Sequence, residues 1–177
     1  MAHDASLIKK SIRLLGLLAM VLFGSQALAR SEVEIKAAYV YNFVKFVTWP
    51  ATDSDTDFQL CIYGDNPFGT FTEKFNSLSV RGQNIVVTYP DISQISTCNV
   101  LLINHSEEKF IPEIISLAAK YPILTISEIE NFTELGGCVG FIKLGNIVRF
   151  DINLEKARAV GLDISSKLLK LANEVKQ

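Results

Sequence analysis

The chain has 177 residues, a formal net charge of -2 and 49% hydrophobic residues, a composition that folds rather than stays disordered. Its slight acidity argues against nucleic-acid binding, which wants a basic footprint. No run of like charges, low-complexity tract or internal repeat interrupts it, so a solvating tail or a solenoid is not indicated.

Lys9, Lys10 and Arg13 precede an apolar run from Leu14 to Gly24, and Ala27-Leu28-Ala29 follows. That order is the signature of a secretory signal peptide with a small-x-small cleavage site. The run is too short for a bilayer, which takes about 20 helical residues. Residues 1–29 are therefore expected to be removed, leaving 30–177 as one exported domain in which disulfides are permitted. His105 is then the only histidine.

From Glu32 to Val47 the pattern is helical. Val33, Ala37, Val40, Val44 and Val47 form one stripe, and Tyr39, Phe43 and Phe46 widen it past half the circumference. Trp49-Pro50 stops the helix. An apolar arc this wide exceeds what one sheet face needs: the helix is engulfed by its own domain, or it also faces a partner. After the polar loop Asp53-Ser54-Asp55-Thr56, residues 58–63 read as a strand ended by Gly64-Asp65, and a helix is expected from Pro67 to Asn76. Arg81-Gly82-Gln83-Asn84 turns into a strand over 85–89, and Cys98 to Ile103 opens a run apolar enough for a sheet buried on both faces. A helix from Ser106 to Lys120 must hold Pro112 in its first turns, and Pro122 to Ile126 is a short strand.

Residues 138–142 and 147–150, around Gly145-Asn146, read as a hairpin. Asn153 caps a helix ended by Gly161, and Asp163 caps a last helix whose Ile164, Leu168, Leu171 and Val175 share a face that Leu169 leaves. Strands alternating with helices, then a hairpin, predict a single three-layer α/β domain: a mostly parallel sheet flanked by helices, with a C-terminal β-hairpin and helices. A flavodoxin-like strand order is adopted by analogy.

Catalytic signatures are weak. Gly64 to Thr70 occupies the place of a phosphate loop but lacks its lysine. Gly136-Gly137-Cys138-Val139-Gly140 resembles a nucleophile elbow, yet His105 precedes it where a hydrolase triad needs a histidine after it. One histidine and three scattered cysteines show no zinc spacing, so neither metal nor cofactor is expected. Cys61 lies in the first strand and Cys98 begins the third, and these are neighbours in a flavodoxin-like order. A disulfide between them is geometrically feasible; two separate core thiols are the alternative. Cys138 is left as a free or redox thiol.

Several blocks then resemble one family. Ala37-Ala38-Tyr39-Val40-Tyr41-Asn42-Phe43-Val44-Lys45-Phe46-Val47-Thr48-Trp49-Pro50 is similar to the opening signature of the YfiR family. Cys61-Ile62-Tyr63-Gly64, Gly137-Cys138-Val139-Gly140-Phe141, Arg149-Phe150-Asp151-Ile152-Asn153 and Gly161 to Ala172 fit the same pattern. The resemblance implies a periplasmic negative regulator, not an enzyme, that binds the periplasmic sensor domain of an inner-membrane diguanylate cyclase and so controls cyclic di-GMP and biofilm formation. It implies a second partner, an OmpA-like outer-membrane lipoprotein that sequesters the repressor, and a homodimer. Cys61 and Cys98 match one family bridge, and Cys138 matches half of a second that has no partner here.

Tyr39, Phe43, Phe46 and Trp49 on the first helix, with Leu169 on the last, are the candidate partner-binding residues, although aromatics at helical spacing equally suit a core. The alternative function is a periplasmic small-ligand receptor using the loops after the strands, at Asp65, Asn66, His105, Ser106 and Ser127.

Overall fold

The computed structural model describes residues 31–50 and 56–177. The expected signal segment, 1–29, and Asp53-Ser54-Asp55 of the expected polar loop lie outside the described residues.

Helix α1 (Glu32–Phe46) begins at a capping box. The Ser31 hydroxyl accepts the Glu34 amide at 3.2 Å, and the Glu34 carboxylate accepts the Ser31 amide at 2.9 Å, so two otherwise orphaned donors are satisfied together. The helix runs into a two-residue strand, β1 (Val47–Thr48). Then come β2 (Phe58–Tyr63), a short 3-10 turn and α2 (Thr72–Asn76), β3 (Ser79–Val80) and β4 (Gln83–Thr88). β5 (Val100–Ile103) leads through a 3-10 segment, His105–Phe110, to α3 (Ile111–Ala118) and β6 (Leu124–Ser127). The chain closes with β7 (Val139–Leu144), β8 (Ile147–Asn153), α4 (Leu154–Ala159), β9 (Asp163–Ile164), α5 (Ser166–Leu169) and β10 (Val175–Lys176).

The main sheet has eight strands in the order β10-β8-β7-β6-β5-β2-β4-β3. Its five central strands, β4-β2-β5-β6-β7, are parallel, and in chain sequence they have the flavodoxin-like order. β8 returns antiparallel to β7, β10 pairs parallel with β8, and β3 pairs antiparallel with β4. The β1 and β9 strands form a separate antiparallel ribbon. This is an α/β domain with a mostly parallel sheet and flanking helices, and no helix among the described residues is long and apolar enough to cross a membrane.

Both faces of the central strands are covered. Leu60 and Ile62 of β2, Val100 and Leu102 of β5, and Leu124 and Ile126 of β6 join one core with α1, α2 and α5. Cys61, Leu101 and Ile103, the alternate positions, join a second core with Ile111, Ile114 and Ala118 of α3. Period-two side chains buried on both faces leave no polar position, which is why β5 reads as a continuous apolar run.

Four elements differ from the sequence reading. The helix expected from Ser106 splits at its proline: Pro112 stands in the first turn of α3, where its missing N–H breaks no helical bond, and the preceding residues take 3-10 geometry. The helix expected from Pro67 is likewise a 3-10 turn, Gly69–Phe71, followed by α2. The expected turn at Arg81-Gly82, with φ of 50° and 85° as a tight hairpin requires, is preceded by a strand the sequence reading lacks, β3, which pairs antiparallel with β4. The last helix is one turn long and capped by Ser165, not Asp163, because Asp163 pairs with Thr48 in the β1–β9 ribbon. Beyond it the backbone bonds along the open edge of β8: the Asn173 amide donates to Phe150 O and the Ile152 amide to Glu174 O. A sheet edge thus captures residues that local periodicity assigns to a helix, leaving Leu171 exposed and Val175 in β10.

A Cys61–Cys98 disulfide, with Cα atoms 5.8 Å apart, joins β2 to the residue two before β5, beside Ile95. It closes a loop of sequence separation 37, worth about 4 kcal/mol in the chain-entropy treatment. Urea titrations of the oxidised protein and of a Cys61→Ser/Cys98→Ser variant are expected to differ by about 3–4 kcal/mol. Matching midpoints in the two titrations would mean the bridge contributes nothing.

Candidate interaction surface

Helix α1 spends its inner face on the core. Val40, Phe43, Val44 and Val47 are fully buried. The Phe43 ring stands 4.9 Å from Phe150 and 5.9 Å from Phe141, and the Tyr39 ring 5.1 Å from Phe150, centroid to centroid. Phe43 is therefore structural, and so is Trp49, which is 8% exposed. The Trp49 indole donates Nε1–H to Asn99 O at 3.1 Å and meets Phe58 edge-on at 5.0 Å. The Arg81 guanidinium lies 5.5 Å from the Trp49 ring and donates to Val47 O. Two of the five residues proposed from sequence as partner contacts thus lack the surface to make them; wide aromatic arcs serve either role until burial is known.

Tyr39, Phe46 and Leu169 are half-buried and keep accessible area. The outward side of α1 carries Ala38, exposed, with Ile35, Tyr41 and Asn42 half-buried at helical spacing around it, and the Lys45 ammonium 5.4 Å from the Tyr41 ring. Helix α5 packs alongside α1. Its Leu168 is fully buried and points inward, whereas Leu171, just past the helix, is 53% exposed. The β1–β9 pairing, Val47 opposite Ile164, and the Ser165 amide bond to Phe46 O at 2.9 Å hold the two helices in one register. Together they present a mixed apolar and polar strip of the character of a protein-binding patch. Ile35 and Tyr41 border it on either side, partly buried against the core, and helical spacing alone did not single them out.

An ion network fixes the start of α1. Glu32 pairs with Lys36 and with Lys143 of β7, each at 2.8 Å, and Lys36 pairs also with Glu128 just after β6. The Lys143 hydrogen bond, then Lys36, holds the Glu32 carboxyl down at about 2.

The crevice where the strand order reverses, at the ends of β2 and β5, is the usual ligand position in such sheets. Here the turn after β2 packs against the start of the segment after β5. Gly64 has φ +88°, and a Cβ there would fall 2.5 Å from Ser106 Oγ. The Asp65 amide donates to Ser106 Oγ at 3.2 Å. The Asn66 amide donates to Thr72 Oγ1 at 2.8 Å and to Tyr89 Oη at 3.1 Å. His105 is exposed and stands 3.5 Å from the Glu108 carboxylate. Ser127 is fully buried; it donates to Ile103 O at 2.7 Å and accepts the Ile129 amide at 3.1 Å. The fold thus brings Asp65 and Ser106 together, while Ser127 is an internal strut without a free face. No group of three His, Cys, Asp or Glu among the described residues is arranged to hold a metal ion.

Cys138 is buried just before β7, and its amide donates to Thr125 Oγ1 at 2.9 Å. Burial pushes its thiol above the ordinary value, outweighing the Thr125 hydrogen bonds, which keeps the sulfur in its unreactive form.

Residues 33–173 match the sequence profile of the YfiR/HmsC-like family. A crystal structure of a conserved domain protein from Vibrio cholerae O1 biovar eltor has a similar fold, with a TM-score of 0.56 at 12% identity over 82% of this chain. The likeness covers 60% of that longer chain. The ABC domain from Streptococcus pneumoniae in complex with L-Trp aligns with a TM-score of 0.46 at 13% identity, over 67% of this chain and 55% of that one.

The Glu32 network has a pH signature. A carboxyl lowered on folding stabilises above its unfolded value and loses that contribution as pH falls toward its folded one. Glu32 is exposed, so the gain is no more than about 1 kcal/mol. Glu32→Gln is expected to lower stability by up to that amount at pH 7, with the gap closing between pH 4.5 and about 2. Denaturant titrations of both proteins across that range would show it; a gap that persists at the acid end would assign the loss to something other than this charge.

Proposed function

Because the chain belongs to the YfiR/HmsC-like family, we propose that it is a periplasmic negative regulator. In this reading it binds the periplasmic sensor domain of an inner-membrane diguanylate cyclase and restrains cyclic di-GMP output and biofilm formation. The observation that carries the reading is the family match, which spans residues 33–173. The signal-like N-terminus and the Cys61–Cys98 bridge support export to an oxidising compartment. The protein acts by occupying its partner rather than by catalysis, and an OmpA-like outer-membrane lipoprotein competes for it. The strip along α1 and α5, with Tyr39, Phe46 and Leu169, supplies the contact. Tyrosine at a patch centre ringed by polar side chains carries binding energy well, and leucine beside it adds apolar contact area.

Oxidised, signal-cleaved protein should capture one membrane cyclase from detergent-solubilised membranes of its host, identified by mass spectrometry. Leu169→Asp is expected to reduce that capture at least tenfold while costing about 1 kcal/mol or less of stability, since the side chain is only half-buried. Phe43→Ala, in contrast, should cost about 3–5 kcal/mol and lose binding only with the fold. No cyclase recovered by a folded, bridged bait would sink the repressor reading; full capture by folded Leu169→Asp would move the contact elsewhere.

A further inference from the structure

On the sheet face away from α1, the cover is incomplete. Helix α3 ends at Ala118, with Ala119 as its C-cap, and α4 ends at Ala159, with Val160 as its C-cap, across from them. Between them lies a partly open cavity of about 290 Å³. Its floor is the start of β6 and β7: Ile123, Thr125 and Cys138, each 3% exposed or less. This is the end of the sheet opposite the Ser106 crevice, because Ile123 and Cys138 precede their strands while Tyr63 and Ile103 end theirs.

The lining defines what fits. The polar atoms on the floor are already engaged: the Thr125 hydroxyl accepts the Cys138 amide, and the Cys138 carbonyl accepts the Asn153 amide at 2.8 Å. Water there would find few partners, so an apolar group displaces it readily. The half-exposed Leu135 stands at the mouth. Lys156 lies on the rim and has no ion-pair partner among the described residues, and no aspartate or glutamate lines the cavity. An apolar bore with a single cation at its lip is complementary to an amphipathic anion. A dianionic head group or a sugar would leave charges or hydroxyls unpaired inside.

We propose that this cavity binds a small apolar monocarboxylate, with its hydrocarbon or aryl body against Ile123, Ala118 and Leu135 and its carboxylate at Lys156 Nζ. The volume sits at the lower end for small-molecule pockets, so the occupant is no larger than a medium-chain fatty acid or a bicyclic aryl acid. The site is separate from the α1–α5 strip and does not depend on the regulator reading.

Calorimetry on the bridged protein with decanoate, below its micellar concentration, tests this against decanol as the neutral isostere. Saturable one-to-one binding of decanoate, about fivefold tighter than decanol, is expected from one exposed ion pair. Lys156→Gln should bring decanoate to the decanol level and leave decanol unchanged. Ala159→Trp, a plug introduced at an exposed position, should abolish binding of both while the far-ultraviolet spectrum and melting temperature stay unaltered. No saturable binding, equal affinity in Lys156→Gln, or undiminished binding in the folded plugged variant would each overturn the assignment. Should Ala159→Trp not fold, Ala119→Trp closes the same cavity from the α3 side and is judged by the same result.

Discussion

All four residues of β5 are buried, and that requirement organises the molecule. A strand with Val100 and Leu102 on one face and Leu101 and Ile103 on the other needs two apolar covers. Neither cover is optional, because an uncovered face would return several large aliphatic side chains to water at roughly 1.5–3 kcal/mol each. Helix α1 is the main part of the first cover. It is locked by the Trp49 indole, whose N–H reaches the Asn99 carbonyl at the threshold of β5 itself. The same junction carries the Asn99 amide bond to Gln59 O and the return bond from the Gln59 amide to Asn99 Oδ1 at 2.8 Å. Helix end, first strand and central strand are therefore tied at one point.

The two covers differ in completeness, and the difference separates two kinds of surface. On the α1 side, Tyr39, Phe43, Phe141 and Phe150 fill the layer with ring contacts, so the apolar excess of the helix emerges on its outer side as a strip. On the α3 side, small residues meet small residues, and the excess appears as a cavity. A strip suits a macromolecular partner and a cavity suits a small molecule. The disulfide stands on the second side, bridging β2 to the approach to β5.

Much of this was legible in the residues. The both-face apolar run of β5, the capping by Asn153, whose side chain accepts the Lys156 amide at 3.0 Å, and the turn at Gly161 all act through neighbours in sequence. The Cys61–Cys98 pairing was feasible once a strand order was adopted, and the structure has it. What escaped were outcomes of competition. Ile164, Leu168, Leu171 and Val175 have helical spacing, but the unpaired edge of β8 offered the backbone of residues 173–176 a better set of partners. The turn at Arg81-Gly82 was legible, but the two-residue strand β3 before it was not, because so short a strand exists only through its pairing with β4. Phe43 and Trp49 looked as available as Tyr39 and Phe46, since periodicity reports which side chains share a face but not how deep that face lies.

The sequence by itself determined the central strands, the first helix, the parallel α/β class and the family, because these depend on periodicity, caps and residue blocks that neighbours in the chain enforce. Only the tertiary structure decided which aromatics are core, that Ser127 is spent on the Ile103 carbonyl, that Ser106 bonds the turn at Asp65, and that a cavity opens between α3 and α4. Each of those depends on the distance between elements far apart in the chain. That distance is set by how side-chain volumes fit across the sheet, a quantity no local pattern encodes.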